Sequence, residues 1–317
     1  MGQKPLICVF GGSGFVGRHM VKALARTGAR IRVAVRRPNE AMFLLPAGNV
    51  GQIQLFAANV RDDASVAEAV KGADVVINLV GLLHQSGRQK FGAVQAEGAG
   101  RIAKAAKAAG VKRFIQMSAI GADKNARSSY ARSKAEGEAA VRDAFPDATI
   151  MRPSIIFGPE DNFFNRFAWM ASLSPILPLI GGGKTKFQPA YVSDIAEAAV
   201  RILDNPHWAG KTFELGGPEV MSFKDLLKLI CEITHRQRIL MPIPFVLASL
   251  QAMFLQLLPN PMLTMDQVRL LKTDNVVGSE GVCTFKDLSI APASAEVIVP
   301  SYLWAFRPHG QFDVEPA

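Results

Sequence analysis

The feature that most constrains this chain lies near its beginning, where three glycines recur at every third position. The stretch VFGGSGFVGRHM, residues 9–20, carries them as Gly11, Gly14 and Gly17. A short apolar run precedes the glycines and an amphipathic run follows them, so the pattern predicts a strand, a tight turn and a helix. Such a turn binds a dinucleotide pyrophosphate at the amino end of the helix. A glycine-rich turn without a ligand is the alternative.

The first half of the chain continues as an alternation of strand-like and helix-like stretches. Apolar and β-branched runs predict strands at 6–10, 31–35, 53–57, 75–80, 113–117 and 149–152. Helical periodicity predicts helices at 14–27, 65–71, 93–109 and 129–145. Strands separated by helices form parallel crossovers, and the opening turn selects the doubly wound version. The predicted fold class is therefore α/β, with a doubly wound parallel sheet of the Rossmann type.

The rhythm changes after Gly158, where prolines and glycines become frequent. We therefore predict a nucleotide-binding domain over 1–158 and a smaller, mainly helical C-terminal lobe and tail over 159–317. Residues 187–215 are expected to pack back onto the first domain.

Composition narrows the partners and the compartment. The chain has 49% hydrophobic and 20% charged residues, which is typical of a folded globular protein, and its net charge of +9 favours anionic partners. No basic run alternates with aromatic residues, so we expect no nucleic-acid partner. Three widely spaced cysteines without a C-x-x-C motif indicate a reducing compartment and no metal site. Without a signal peptide or a membrane-spanning run, the protein is expected to be cytoplasmic.

The end of the second strand bears on the choice of nucleotide. An NAD site places an acidic residue there to bind the ribose 2′-hydroxyl, whereas this strand ends RVAVRRP with Arg36 and Arg37. Guanidinium groups suit a 2′-phosphate. The sequence therefore favours NADP(H) over NAD(H), the alternative being that one arginine points to solvent.

A tyrosine and a lysine share one face of a later helix. SSYARSKAEGE, residues 128–138, places Tyr130 four residues before Lys134. A lysine ammonium near a phenol is expected to lower the phenol pKa, so that the tyrosine can exchange a proton while a nicotinamide exchanges hydride. Lysine can also hold ribose hydroxyls. The alternative is an ordinary exposed helix.

Together these motifs resemble a known superfamily. G-x-x-G-x-x-G at 11–17, Tyr130-x-x-x-Lys134 and MRPSIIFGP at 151–159 are similar to the extended or atypical short-chain dehydrogenases/reductases, the NAD-dependent epimerase/dehydratase-like group. The resemblance implies roles for residues near the adenine, the cofactor wall and the nicotinamide. The cofactor-binding set expected from spacing and resemblance is Gly11, Ser13, Gly14, Phe15, Val16, Gly17, Arg36, Arg37, Asn59, Val60, Val80, Gly81, Tyr130, Lys134, Pro153 and Ile156.

A narrower resemblance extends over nearly the whole chain. SAIGAD, RPSIIFGPEDNFFNRFA, FQPAYVSDIA and the late LTMDQVRLLKTDNVV at 263–277 are similar to the nucleotide-binding accessory subunit of respiratory complex I and its bacterial homologues. This resemblance implies an accessory or assembly component that holds NADP(H), with complex I subunits as partners. Relatives are also linked to ubiquinone biosynthesis.

The residue that would polarise a substrate is ambiguous. Family enzymes place a serine or threonine after the fifth strand, and in FIQMSAIG that slot falls on Ala119, one residue after Ser118. With Ala119 in the slot, Tyr130 and Lys134 remain ribose ligands only. With Ser118 in it, the three form a catalytic set for an NAD(P)-dependent oxidoreductase or epimerase acting on a carbonyl or alcohol of a quinone precursor, isoprenoid or sugar nucleotide.

An unusually apolar segment occupies 239–263. Pro242 and Pro244 prevent a regular helix before Phe245, after which 245–258 can form one. It is either a buried lobe helix or a docking segment for a membrane or an apolar subunit, which would place the protein at the inner face of the cytoplasmic membrane. Cations that suit anionic headgroups flank it: Arg236, Arg238, Arg269 and Lys272.

Overall fold

The computed structural model describes residues 4–258 and 261–312. The ends of the two predicted domains, 1–3 and 313–317, and residues 259–260 of the apolar segment lie outside the described residues. The chain forms two compact units that interleave along the sequence. Unit 1 comprises Met1–Arg152, Ser193–Glu214 and Ser279–Ile290, and unit 2 comprises Pro153–Val192, Leu215–Gly278 and Ala291–Ala317. The predicted division of roles between 1–158 and 159–317 stays a prediction.

The regular elements follow the alternation expected from the sequence. The strands are β1 Leu6–Phe10, β2 Arg30–Val35, β3 Ile53–Ala57, β4 Val75–Asn78, β5 Arg113–Met117, β6 Thr149–Pro153, β7 Ile156–Phe157, β8 Ile176–Ile180, β9 Lys186–Phe187, β10 Ala190–Tyr191, β11 Thr212–Leu215, β12 Met221–Ser222 and β13 Ile239–Ile243. The α-helices are α1 Phe15–Arg26, α2 Asp63–Val70, α3 Glu97–Ala108, α4 Ser129–Ala144, α5 Phe164–Leu173, α6 Val192–Asp204, α7 Phe223–Ile233, α8 Phe245–Leu255, α9 Met265–Leu270, α10 Ala295–Ile298 and α11 Pro300–Leu303. A 3-10 helix at Pro38–Ala47 follows β2, and a π-helical turn at Gly92–Ala96 precedes α3.

The central sheet confirms the doubly wound α/β fold. Its seven strands run in the order β11-β6-β5-β4-β1-β2-β3. β1 pairs in parallel with β2 on one side and with β4 on the other, as Ile7 opposite Ile31 and Val75 illustrates. Every residue of β1 is buried, which explains its uninterrupted apolar sequence. The order reverses between β1 and β4, and ligands of such sheets bind beyond the carboxyl ends of the strands at that point.

One predicted strand is longer than the structure allows. The sequence predicts β4 over 75–80, but it ends at Asn78. The side chain of Asn78 makes two hydrogen bonds: its Oδ1 accepts the backbone amide of Val80 at 3.1 Å, and its Nδ2 donates to Oε1 of Gln116 at 2.9 Å. This buried amide turns the chain out of the sheet. Val80 and Gly81 therefore lie in the following loop and do not close the strand.

Small residues let α4 approach the chain beside it very closely. A Cβ on Gly137 would lie 2.3 Å from the backbone oxygen of Gln95 in the π-helical turn, and a Cβ on Gly100 would lie 3.0 Å from the Cβ of Ala140. No side chain larger than hydrogen fits at Gly137 without moving the backbone. α4 thus carries Tyr130 and Lys134 on a helix whose distance from its neighbour is fixed.

A buried ion pair fixes α4 to β6. The Arg152 Nε and a terminal nitrogen of its guanidinium donate to the two oxygens of Glu138, at 2.9 and 2.6 Å. A second carboxylate, Glu214, lies 3.8 Å from the guanidinium and accepts the amide of Ser279 at 3.1 Å. Bidentate geometry fixes orientation as well as distance. No sequence pattern predicts this cluster, because its members are far apart along the chain.

Unit 2 has an aromatic core. The buried rings of Phe157, Phe164 and Phe223 pack with α7 and the final helices. Asp161 accepts the backbone amides of Phe163 and Phe164 and the hydroxyl of Tyr302. These hydrogen bonds tie the start of α5 to the C-terminal part of the chain.

The apolar segment of unit 2 begins as a strand. Residues 239–243, expected to be irregular, form β13, which pairs in parallel with β8. Pro242 is tolerated because the sheet has two strands only, so one side of β13 makes no ladder. None of the helices formed by the described residues has the length and hydrophobicity needed to cross a bilayer.

The contact at Gly137 predicts a stability loss. Gly137→Ala would bring Cβ against the Gln95 carbonyl, and we expect it to lower the free energy of unfolding by about 1–3 kcal/mol. Gly92→Ala is the matched control, since a Cβ there meets nothing within 4 Å and alanine favours the helix. Denaturant unfolding measures both variants. Equal stabilities would contradict the close-approach argument.

Candidate functional site

The glycine turn has the geometry of a phosphate cradle. Gly11 has a φ of +77°, which favours glycine, and a Cβ on Gly17 would lie 2.3 Å from the Gly11 oxygen. These two glycines let α1 rest directly on the turn. Gly14 is exposed, and a Cβ there would meet only the Gly11 oxygen, at 3.4 Å. Its missing side chain leaves the backbone open to a ligand, so the turn fits a pyrophosphate.

The first amides of α1 face this opening. Gly14 is the residue before the helix, and the amide of Arg18 makes the first bond within it, to the Gly14 oxygen at 3.0 Å. The amides of Phe15, Val16 and Gly17 precede that bond, and the first amides of a helix have no partner within it. Their dipoles give this end of α1 a partial positive charge that favours an anion. Ser13 lies in the turn just before them.

The two arginines after β2 differ in their contacts. Both are exposed, but Arg37 forms an ion pair with Glu40 at 2.7 Å, and this hydrogen bond raises the pKa of Arg37. For Arg36 the described part of the chain provides no ion-pair partner. The Arg36 guanidinium could therefore bind a phosphate without giving up an ion pair. Arg37 would first have to break its ion pair with Glu40.

A further guanidinium escaped the sequence analysis. Arg18, in the first turn of α1, lies with Cζ 4.8 Å from the ring centroid of Phe43 in the 3-10 helix after β2. The sequence feature that could have identified Arg18 is its position directly after Gly17, the last glycine of the motif. This stacking connects α1 to the chain that follows Arg36 and Arg37.

The residues expected near the adenine follow β3. Asn59 donates its amide to Ser65 Oγ at 3.0 Å and accepts the amide of Arg61 at 3.1 Å through its side chain. The Val60 oxygen accepts a hydrogen bond from Arg101 at 2.9 Å. These contacts hold the turn beyond the carboxyl end of β3, on the β2 side of the sheet.

Val80, Gly81 and Ser118 follow the neighbouring strands β4 and β5. The Ser118 amide donates to the Met151 oxygen at 2.7 Å and extends the pairing of β5 with β6. Its side chain is only 4% exposed, and Oγ has no hydrogen-bond partner among the described residues. Ala119, one residue further on, is partly exposed. The hydroxyl is thus buried, and the more accessible position carries a methyl group.

The lysine of the Tyr/Lys pair reaches the ends of β4 and β5. Lys134 Nζ donates to the Met117 oxygen at 3.2 Å and lies 5.8 Å from the Tyr130 ring centroid. A Cβ on Gly81 would be 3.4 Å from the same nitrogen. Lys134, Tyr130, Gly81 and Met117 are therefore brought together, whereas Arg36, Arg37, Asn59 and Val60 belong to the β2–β3 side.

Burial controls the charge of this pair. It lowers the pKa of Lys134 to about 8, against the attraction of Glu138, and raises the pKa of Tyr130 to about 12. The expected lowering of the Tyr130 pKa is wrong for the protein as described. Lys134 Nζ donates to a backbone oxygen, and desolvation of the Tyr130 phenol raises its pKa more than the lysine charge could lower it.

The last two predicted cofactor residues belong to unit 2. Pro153 is buried at the end of β6, and Ile156 is partly buried in β7, paired with Ala190 of β10. All the other predicted site residues belong to unit 1. The described residues include no group of three or more His, Cys, Asp or Glu side chains that could hold a metal ion.

Comparison with known proteins agrees with this geometry. The family model described as "NAD dependent epimerase/dehydratase family" matches residues 7–216. The NADH dehydrogenase (ubiquinone) 1 alpha subcomplex subunit 9 of Arabidopsis thaliana is 35% identical over 95% of this chain and 78% of its own length. A ceramide reductase of Caulobacter vibrioides is 35% identical over 63% of this chain and 62% of its own.

Solved structures share the fold. The NADPH-dependent quinone oxidoreductase of Escherichia coli, complexed with NADPH, has a TM-score of 0.75 with 21% identity and covers 94% of this chain and 99% of its own. The narrower resemblance seen in the sequence is confirmed by the plant relative, whose match extends past the family model through most of the chain. With a glycine cradle, a doubly wound sheet and a family match over residues 7–216, the chain belongs to the NAD dependent epimerase/dehydratase family.

Proposed function

We propose that this chain is an accessory or assembly component of respiratory complex I that holds NADP(H) without turning it over. The observation that carries the proposal is the 35% identity across 95% of the chain to a plant NADH dehydrogenase subunit. Its partners are then complex I subunits, and its place is the cytoplasmic face of the membrane that contains them.

Separate groups of residues bind the pyrophosphate and the 2′-phosphate of the nucleotide. The backbone of Gly11, Ser13 and Gly14 and the amides of Phe15, Val16 and Gly17 hold the pyrophosphate, as the open cradle at Gly14 supports. The guanidinium groups that neutralise the 2′-phosphate are those of Arg36 and Arg37. When bound, the nicotinamide can supply or accept a hydride.

The remaining predicted residues hold the other parts of the nucleotide. Asn59 and Val60 contact the adenine, and Val80 and Gly81 line the cofactor. Tyr130 and Lys134 hold the ribose hydroxyls. Pro153 and Ile156 face the nicotinamide.

The residues that follow β5 support holding over turnover. Tyr130, whose pKa is raised by burial, keeps its proton at neutral pH and can donate a hydrogen bond to a ribose hydroxyl. The Ser118 hydroxyl is buried, and Ala119 offers no donor to a substrate oxygen. The loss of one such donor costs catalysis about 3 kcal/mol.

A second function has one observation in its favour. The chain is 35% identical to a ceramide reductase over 63% of its residues, and it keeps the Tyr130 and Lys134 pair. In this alternative the protein is an NAD(P)-dependent oxidoreductase or epimerase in which Ser118, Tyr130 and Lys134 act on a carbonyl or alcohol. Its substrate would be a quinone precursor, an isoprenoid or a sugar nucleotide.

The choice of nucleotide predicts an affinity difference. Arg36→Gln is expected to weaken NADPH binding by about tenfold, since a charged hydrogen bond to the 2′-phosphate is lost, and to leave NADH binding nearly unchanged. Arg26→Gln, at the other end of α1, is the matched control. Fluorescence titration measures all dissociation constants. Tighter binding of NADH than NADPH by the unmodified chain would contradict the assignment.

The lowered pKa of Lys134 predicts a pH dependence of binding. The nucleotide anion favours the protonated lysine, so binding takes up a proton above the free-protein pKa of about 8. NADPH affinity should therefore fall by up to about fivefold from pH 8 to 9, a range above the second phosphate pKa. The slope should vanish in Lys134→Gln and persist in Lys104→Gln, an exposed lysine on α3. If NADPH affinity depended on pH equally in Lys134→Gln and in the unmodified chain, Lys134 would not be part of the nucleotide site.

Purification from the native membranes distinguishes the two functions. Under mild detergent we expect the chain to migrate with complex I and to carry NADP(H), and Tyr130→Phe to leave both properties nearly intact. If the chain migrates alone, and an NADP(H)-dependent turnover is found that Tyr130→Phe abolishes, the oxidoreductase function replaces the accessory one. An isolated chain that binds no pyridine dinucleotide would contradict both.

A further inference from the structure

Helix α8 in unit 2 has the reverse of the usual pattern for a surface helix. Ala248 and Ala252 are fully buried, against Ile180, Ile243 and Val268. Large apolar side chains instead point outward, recurring at helical spacing through the helix and the turn after it. The exposed ones are Val246, Leu247, Leu250, Met253, Phe254, Leu257 and Leu258.

Strand β13 extends this apolar character beyond the helix. Its first residue, Ile239, is opposite Ile176 of β8, and both are exposed. Met241, two residues along the same side of β13, is also exposed, and Ile243, the next residue on that side, packs against α8. We call Ile176, Ile239, Met241 and the seven exposed side chains of α8 and its turn the apolar face. Single exposed apolar side chains are ordinary, but a cluster of this size is not.

The segments that contribute the apolar face carry cations and no acidic side chains. Residues 162–183 and 237–265 contain no aspartate or glutamate and include Arg166 and Arg238; they are bounded by Asp161 and by Asp266 of α9. Arg238 is held at the end of α5, where Nε donates to the Ala171 oxygen at 2.7 Å. Lys272 is exposed and lies with Nζ 5.4 Å from the ring centroid of Phe245 at the start of α8.

We propose that the apolar face binds the interfacial layer of a lipid bilayer that carries anionic headgroups, with α8 lying in the plane of the membrane. Its apolar side chains enter the boundary between headgroups and acyl chains, and Arg238 and Lys272 meet the headgroup charge. A second copy of this chain fits less well, because the segments that contribute the apolar face would bring the cations of both copies into the contact without an acidic side chain to pair with them. The net charge of +9 adds long-range attraction to the same surface.

This inference goes beyond the proposed function, because it requires neither a nucleotide nor the respiratory complex. It also differs from the expectation for 239–263, since Ile176 of β8 contributes to the surface. The two proposals therefore fail separately, and NADPH affinity measured in parallel reports on the first.

Vesicle flotation of the full chain tests the proposal. We expect it to float with phosphatidylcholine vesicles containing about 30% phosphatidylglycerol, more weakly with phosphatidylcholine alone, and less as salt is raised. Val246→Ser combined with Leu257→Ser should lower the partition coefficient at least about tenfold. Val50→Ser combined with Val220→Ser is the matched control, because both valines are exposed outside the apolar face. Circular dichroism and NADPH binding verify that each variant is folded.

The charge contribution has its own variant. Lys272→Gln should reduce binding to the anionic vesicles roughly fivefold and leave binding to neutral ones unchanged. Absence of flotation with either vesicle, or equal loss in the control pair, would overturn the proposal. Binding to purified complex I without binding to vesicles would assign the apolar face to a protein partner. A dimer in size-exclusion chromatography that Val246→Ser with Leu257→Ser dissolves would assign it to a second copy.

Discussion

The direct contact between α1 and the turn after β1 is the interaction on which the nucleotide site depends. Gly17 has no side chain, so the helix rests against the backbone of Gly11 and Gly12, and the amides at its amino end point beyond the carboxyl ends of β1 and β4. Any Cβ at Gly17 would separate helix and turn. The same approach anchors α1 on a fully buried strand, so one packing constraint serves both the core and the anion site.

A second constraint positions the Tyr/Lys pair and sets its chemistry. Gly137 fixes the distance of α4 from the π-helical turn, and Glu138 fixes its orientation through Arg152. Lys134, one turn before Glu138, is thereby buried against the ends of β4 and β5. Burial then determines both pKa values, lowering that of Lys134 and raising that of Tyr130. The same packing therefore fixes the position of α4 and leaves Tyr130 and Lys134 suited to hydrogen bonding.

Family membership and activity are separate questions for such a chain. Proteins similar to this chain include one with an enzyme name, a ceramide reductase, and one named as a respiratory subunit. A shared fold supports either, because function lies in the site and its surroundings. The proposal that this chain holds a nucleotide without turning it over therefore rests on its site, where the Ser118 hydroxyl is buried and the more accessible Ala119 carries a methyl group.

The sequence by itself determined the sheet-forming half of the chain and the cradle. The apolar runs predict the exact ends of β1, β3 and β5, and the glycine spacing predicts the turn at Gly11, Gly14 and Gly17. Both succeed because strand period and glycine spacing are local properties of the sequence. The tertiary structure alone decided the end of β4 at Asn78, the Arg152 cluster, the pairing of β8 with β13, and the outward direction of the apolar side chains of α8. It also reversed the expected pKa shift of Tyr130. Each of these depends on burial and on partners far away in the chain, and residue spacing carries no information about either.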